Sequence, residues 1–324
     1  MRYVKFFPGE PEVSALCLGT ALFGSSVNRI DAFKQMDLFL DNGGNFFDTA
    51  RVYADWLPGG HGASEETLGS WIRERKCRDR VIVSTKGAHP KLETMNIPRM
   101  SPKELRLDLE ESLKTLGTDY IDVYFLHRDD ISLPADEIIG SLEKFRKEGK
   151  IKNYGCSNWK QERIEDAAGA AVRLGSGGFA CNQVRWGIGD INAGAVADKT
   201  TVNMDRKLFE YHRNSGMAVM SYTSSCNGYF TKKLRGDTVK PSCELVYGNS
   251  ANQKICNKLE LWEKEFNLPV SALVLAYISS HEFPASAISS FSSISQLEEV
   301  LLSGNFNFPR ECLDEIDEMK HFVF

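Results

Sequence analysis

The chain has no CxxC pair, no GxGxxG and no GxxxxGK[ST]. None of its apolar runs approaches the roughly 20 residues needed to cross a bilayer. The first absence removes the usual signature of a zinc ribbon or a dithiol redox site, and the other two motifs are the usual marks of Rossmann and P-loop nucleotide sites. Histidine is scarce, with six residues, and His61, His89, His212, His281 and His321 show no metal-ligand spacing. No metal is therefore expected. A large excess of charge of either sign is also missing. With 39 basic against 44 acidic residues the net charge is −5, which points to neither nucleic acid nor an anionic membrane as partner. The eight cysteines are scattered through 324 residues, too thinly for a disulfide scaffold, and read as buried free thiols. The start, Met1-Arg2-Tyr3-Val4-Lys5, lacks an apolar signal core. A soluble, cytoplasmic protein is the expectation.

What is present is an alternation. Short apolar, β-rich runs occur at 14–19, 45–48, 81–86, 121–127, 151–157, 179–184, 217–222 and 285–289. Between them lie segments of helical periodicity. Ser101-Pro102-Lys103-Glu104, for example, offers an N-cap, a proline at the first helical position and an acidic first turn. Helices are also expected at 251–266, 270–280, 294–302 and 310–322, and the segments 54–63, 87–100 and 223–250 read as long loops. Eight βα units of one compositional texture, with no linker, predict a single α/β domain over 1–324. A closed (β/α)8 TIM barrel of parallel strands with extra C-terminal helices accounts for them better than an open sheet. Asp48, Lys86, His127, Ser157, Gln183 and Tyr222 fall at or just past strand ends, separated by 38, 41, 30, 26 and 39 residues. A barrel places all six on its C-terminal face, where the loops converge.

The stretch Asn45-Phe46-Phe47-Asp48-Thr49-Ala50-Arg51-Val52-Tyr53 leaves a carboxylate at a strand end and a tyrosine five residues on. Joined by Lys86 and His127, these residues suit a carbonyl-reduction site. A tyrosine with a pKa near 10 donates a proton more readily when a cation stabilises its phenolate. Lys86 supplies that cation, Asp48 holds the ammonium, and His127 can hydrogen-bond and polarise a carbonyl oxygen. Each residue alone has a plainer reading, as a loop hydrogen-bonder, a packing aromatic, a rim lysine or a solvated histidine. Trp56, Arg128 and Trp186 are candidates for the substrate pocket.

Phe47-Asp48-Thr49-Ala50…Tyr53, Ser84-Thr85-Lys86, Leu126-His127, Gly155-Cys156-Ser157-Asn158 and Asn182-Gln183-Val184, in this order and spacing, resemble the aldo-keto reductases over nearly the whole chain. The resemblance implies an NAD(P)-dependent oxidoreductase acting on CH–OH and C=O groups, with the cofactor extended across the barrel face and Tyr53 as general acid/base. It implies that Ser157, Asn158 and Gln183 hold the carboxamide, that Tyr222 stacks on the nicotinamide ring, and that Thr20 makes a cofactor contact. It leaves open a barrel that binds NAD(P) as a sensor or regulatory subunit with little turnover. Two segments depart from the family pattern. Thr223-Ser224-Ser225-Cys226-Asn227-Gly228 lacks the proline that usually follows the stacking residue. Ser289-Ser290-Phe291-Ser292-Ser293 has no base at Ser292, where one would pair with a 2′-phosphate. The cofactor is therefore NADPH or NADH, with Ser290, Ser292 and Gln296 as phosphate-side candidates. A small carbonyl or alcohol is the expected partner.

Overall fold

A computed structural model describes residues 1–320 apart from Pro8. Eight parallel strands close into a barrel: β3 (Leu16–Gly19), β4 (Phe46–Asp48), β5 (Ile82–Gly87), β6 (Ile121–Leu126), β7 (Ile151–Ser157), β8 (Cys181–Arg185), β9 (Ala218–Tyr222) and β10 (Ala285–Ser289). Neighbours in sequence are neighbours in the sheet, and β10 pairs with β3 to complete the ring. This is the expected (β/α)8 fold, with every barrel strand within two residues of its expected bounds.

Side chains alternate across a strand, so every second residue points into the lumen. Phe46, Ile82, Val123, Phe125, Cys181, Ala218, Met220 and Ile288 make one buried apolar cluster there. One step further along the same alternation stand Asp48, His127, Gln183 and Tyr222, and two steps beyond Ile82 stands Lys86. The lumen is thus greasy in its middle and polar at its C-terminal mouth, and period-2 patterning carries the site residues to that mouth.

The opposite mouth is closed by a feature not read from the sequence. Strands β1 (Tyr3–Val4) and β2 (Val13–Ser14) form an antiparallel hairpin, and its Phe6, Phe7 and Val13 join the lumen cluster. Phe6 packs edge-on against Phe7 and Phe46 at 5.7 and 5.9 Å between ring centroids.

Helices α1 (Arg29–Asp41), α2 (Ala63–Arg75), α3 (Pro102–Leu116), α4 (Ala135–Lys147), α5 (Gln161–Leu174) and α6 (Arg206–Ser215) cover the first six barrel strands in turn. In α3 the Ser101 and Glu104 side chains cap each other's backbone amides, as the sequence suggests. The segment 223–250 is not an irregular loop. It contains α7 (Tyr229–Arg235) and α8 (Pro241–Tyr247), each only seven residues long and set between Gly228, Gly236 and Gly248. Next come α9 (Ser250–Phe266), α10 (Val270–Ser279), α11 (Ile294–Leu301) and α12 (Arg310–Met319). The expected last helix reached Phe322, and residues 321–322 lie outside the described residues. No helix among the described residues is long and apolar enough to cross a membrane.

Candidate active site

Lys86 is fully buried at the end of β5, and all three of its N–H donors are used. Its Nζ donates to Asp48 Oδ2 at 2.7 Å, to the Thr49 carbonyl at 2.7 Å and to the Tyr53 hydroxyl oxygen at 2.9 Å. The other carboxylate oxygen of Asp48 accepts from Ser84 Oγ at 2.7 Å and from Gln183 Nε2 at 2.9 Å. Burial acts to lower the Lys86 pKa, but Asp48 and Tyr53 outweigh it and the ammonium is held above its ordinary value. A charged ammonium only donates, so the Tyr53 oxygen must accept from it. The phenol's own proton is thereby left to point elsewhere.

Tyr53 is reached by a turn in which Ala54 takes a left-handed conformation, φ 70°. Arg51, beside it, anchors the turn to Glu111 at 2.9 Å and to Asp55 at 3.7 Å. Burial raises the tyrosine's pKa, and Lys86 pulls it back only in part. The group is therefore protonated at neutral pH. The His127 ring lies edge-on to Tyr53, 6.1 Å between centroids, and 4.7 Å from the ring of His89. Burial first, then Arg128, His89 and Lys86, holds His127 well below its ordinary pKa, so it is a neutral imidazole. Its Nδ1 is buried with no hydrogen-bond partner among the described residues.

Behind the tetrad, Asn158 (φ 63°) uses every hydrogen bond it can form. Its Oδ1 accepts from the Tyr222 hydroxyl at 2.5 Å and from the Val202 amide at 3.0 Å. Its Nδ2 donates to the His127 carbonyl at 3.2 Å and to Ser157 Oγ at 3.0 Å. Asn158 is thus a bracket tying Tyr222, His127 and the 202 segment together. The Tyr222 pKa is pushed up to about 12, by burial first, with the Arg185 guanidinium 5.5 Å from its ring centroid opposing.

The remaining candidates are placed as follows. Thr20 is fully buried, its hydroxyl donating to the Asp48 carbonyl at 3.0 Å and bonded to Ser64 Oγ at 2.8 Å, so it steadies the end of β4. Trp186 is buried in an aromatic cluster, stacked on Phe283 at 5.6 Å and edge-on to Phe209. Arg128 donates to Thr200 Oγ1, the His127 carbonyl and Asp198 Oδ2, each at 2.8 Å, and so pins the 198–200 loop beside the site. Trp56 is 56% exposed on the rim. Ser292 and Gln296 bond each other at 3.0 Å, and Ser290 donates to the Gly19 carbonyl at 2.8 Å.

Several contributors were not anticipated. Ser84 was legible in principle, since it lies two residues before Lys86 on the same face of β5. His89 and the loop residues Asp198 and Thr200 carry no such signal, because only the fold brings them to His127 and Arg128.

A cleft of about 860 Å³ runs from Asp48 and Tyr53 past Tyr222 to Ser290, Ser292 and Gln296. The segment following β9 forms its other wall and contributes Lys232, Arg235 and Lys240.

Residues 15–321 match the model of the Aldo/keto reductase family. The oxidoreductase YrpG of Bacillus subtilis is 26% identical over 98% of this chain and 96% of its own. An aryl-alcohol dehydrogenase of Pestalotiopsis microspora is 27% identical over 82% of this chain and 68% of its own. An aldo-keto reductase from Klebsiella pneumoniae, solved in complex with NADPH, superposes with a TM-score of 0.72 at 23% identity, covering 98% of this chain and 95% of that one. With the family model matched over nearly its whole length, this chain belongs to the aldo/keto reductase family.

Proposed function

We propose that the chain is an NAD(P)H-dependent reductase of small carbonyl compounds, working reversibly on the corresponding alcohols. The observation that carries this reading is the Lys86–Tyr53 hydrogen bond at 2.9 Å, which leaves the tyrosine's proton free for a substrate oxygen. The long cleft beginning at Tyr53 and Tyr222 suits a dinucleotide, and the Tyr222 ring at its mouth suits a nicotinamide face. When bound, a reduced nicotinamide supplies a hydride to the carbonyl carbon.

The chain's residues do the rest. Neutral His127 hydrogen-bonds the carbonyl oxygen and polarises it. Tyr53 gives its proton to that oxygen as negative charge develops, and Lys86 stabilises the resulting phenolate. Asp48 keeps the ammonium in place, itself held by Ser84 and Gln183. For alcohol oxidation the same phenolate accepts the proton. All eight cysteines are free and seven are buried, which suits a reducing, cytoplasmic compartment.

The test is Tyr53→Phe. Turnover over a panel of aldehydes and ketones should fall by roughly 10² to 10⁴, the usual worth of a general acid, while cofactor binding persists. Turnover like that of the wild type in this variant sinks the assignment. Tight cofactor binding by the wild type with no turnover on any carbonyl makes the chain a sensor instead.

A further inference from the structure

A second cavity, of about 400 Å³, lies between the start of α5 and the segment joining β8 to α6, with Lys320 on its wall. It shares no lining residue with the cleft that holds Tyr53 and Tyr222. Its carboxylates are Glu162, Asp190 and Asp205, and Asp205 is engaged at the head of α6, where it accepts from the Leu208 amide at 2.8 Å. Lys320 is engaged too, donating to the Gly187 carbonyl at 2.8 Å and to the Tyr277 hydroxyl at 3.3 Å. Arg185 stands apart. It ends β8, is half-buried and, among the described residues, forms no ion pair. Its guanidinium carbon lies 5.5 Å from the Tyr222 ring centroid, a contact with a ring face that leaves the charge without a counter-ion. Its Nε is buried with no hydrogen-bond partner among the described residues, and so is Nε1 of its neighbour Trp186. Both atoms are donors, and a buried donor left unmet is costly. Asn203 Oδ1, on the same wall, is a buried acceptor equally without a partner. The side chains of Trp186, Ile191, Met204 and Tyr247 make the rest of the wall apolar and aromatic.

We propose that this cavity is a second ligand site, separate from the catalytic cleft, for a small aromatic carboxylate held by Arg185. The planar guanidinium matches a carboxylate with two parallel N–H donors, and such charge-assisted pairs are the strong ones. The apolar wall suits an aromatic body, and Asn203 Oδ1 suits a hydroxyl on that body. The volume is at the lower end for small-molecule sites, which calls for one ring and a short acidic arm. Inorganic phosphate would satisfy the charge but leave the aromatic wall uncovered. The inference stands apart from the carbonyl-reductase reading, because no residue of the tetrad lines this cavity.

Isothermal titration of the whole chain with 4-hydroxyphenylacetate, in the presence of NADPH, tests the site directly. One molecule should bind saturably per chain. Its neutral counterpart, 4-hydroxyphenylacetamide, should bind about tenfold or more weakly, the worth of one charge-assisted contact. Arg185→Gln should weaken the carboxylate by about the same factor. Asn203→Asp sets a like charge on the same wall and should weaken it as well. His127→Gln, in the cleft, should leave the constant unchanged. No saturable binding by 4-hydroxyphenylacetate, phenylacetate or indole-3-acetate overturns the proposal, as does equal binding of acid and amide. An unchanged constant in Arg185→Gln overturns it too, and if that variant does not fold, an unchanged constant in Asn203→Asp does so equally. Binding lost in His127→Gln would put the carboxylate at the reacting atoms and end the case for a second site.

Discussion

Lys86 sits in the most constrained setting of the site. A buried ammonium is costly unless its donors are all met, and here Asp48, the Thr49 carbonyl and Tyr53 meet all three. Removing it leaves Asp48 as a buried carboxylate without its cation and Tyr53 without help for its phenolate. Lys86→Met, close in length and uncharged, should lower turnover by about 10² or more and should hurt alcohol oxidation most, since that direction begins from the phenolate. The comparison is kcat in both directions; unequal losses with oxidation the worse are expected, and a loss confined to KM would contradict the role. The pH profile has a definite sign. Because Tyr53 lies above its ordinary pKa of about 10, carbonyl reduction should stay level through neutral and mildly alkaline pH and fall only above about pH 10. Alcohol oxidation should rise over the same alkaline range.

At the scale of elements, the hairpin at the foot of the barrel can be separated experimentally from the site at its head. Phe6 is buried against Phe7 and Phe46 on the side of the lumen away from Tyr53. Phe6→Ala should cost about 3–5 kcal/mol of unfolding free energy, the usual price of a large buried aromatic, with kcat and KM nearly unchanged. Denaturant unfolding beside steady-state kinetics checks both halves, and a kinetic defect without a stability loss would place the hairpin elsewhere. This hairpin also shows what the chain's linear pattern conceals. The barrel strands were legible because they are apolar, β-rich runs of three to seven residues. Two-residue strands such as β1 and β2 are too short to show any period. Helices α7 and α8 were hidden in another way. Seven residues between glycines look like loop, although Pro241 at the first position of α8 and the apolar pair Tyr229-Phe230 were signals in favour. Asp48, Tyr53, Lys86 and His127 were legible because each stands at or near a strand end. The cleft's other wall was not, since nothing local relates Lys232 and Lys240 to Ser292 more than fifty residues on.

For the molecule as a whole, the buried histidines set an acid limit. His212 is fully buried, with Nδ1 3.0 Å from the Met217 carbonyl, which can only accept. Nδ1 therefore carries the proton and Nε2 accepts from Asn182 Nδ2 at 3.1 Å, an arrangement a second ring proton would break. Its pKa is lowered to about 4, and burial also lowers His281 to about 3, with His127 and His89 moved in the same direction. The unfolded chain takes up these protons near pH 6.5. The stabilisation is therefore fully present above that value and is lost as pH falls from about 6.5 toward 4, where the unfolded state binds more protons than the native one. Glu65, Asp129 and Asp317 act in the opposite sense, their carboxyls being raised by burial, and so flatten the lower part of the curve. Unfolding free energy should accordingly drop by several kcal/mol between pH 7 and pH 5. His212→Asn keeps a donor where Nδ1 stands but cannot take up a proton. It should be less stable than wild type at pH 7, because Asn182 loses its acceptor. Its loss on acidification should nonetheless be shallower by close to one proton's worth, about 1.4 kcal/mol per pH unit where the difference is complete. Parallel wild-type and variant curves over pH 7 to 5 would show that His212 titrates normally and that the acid limit is set elsewhere.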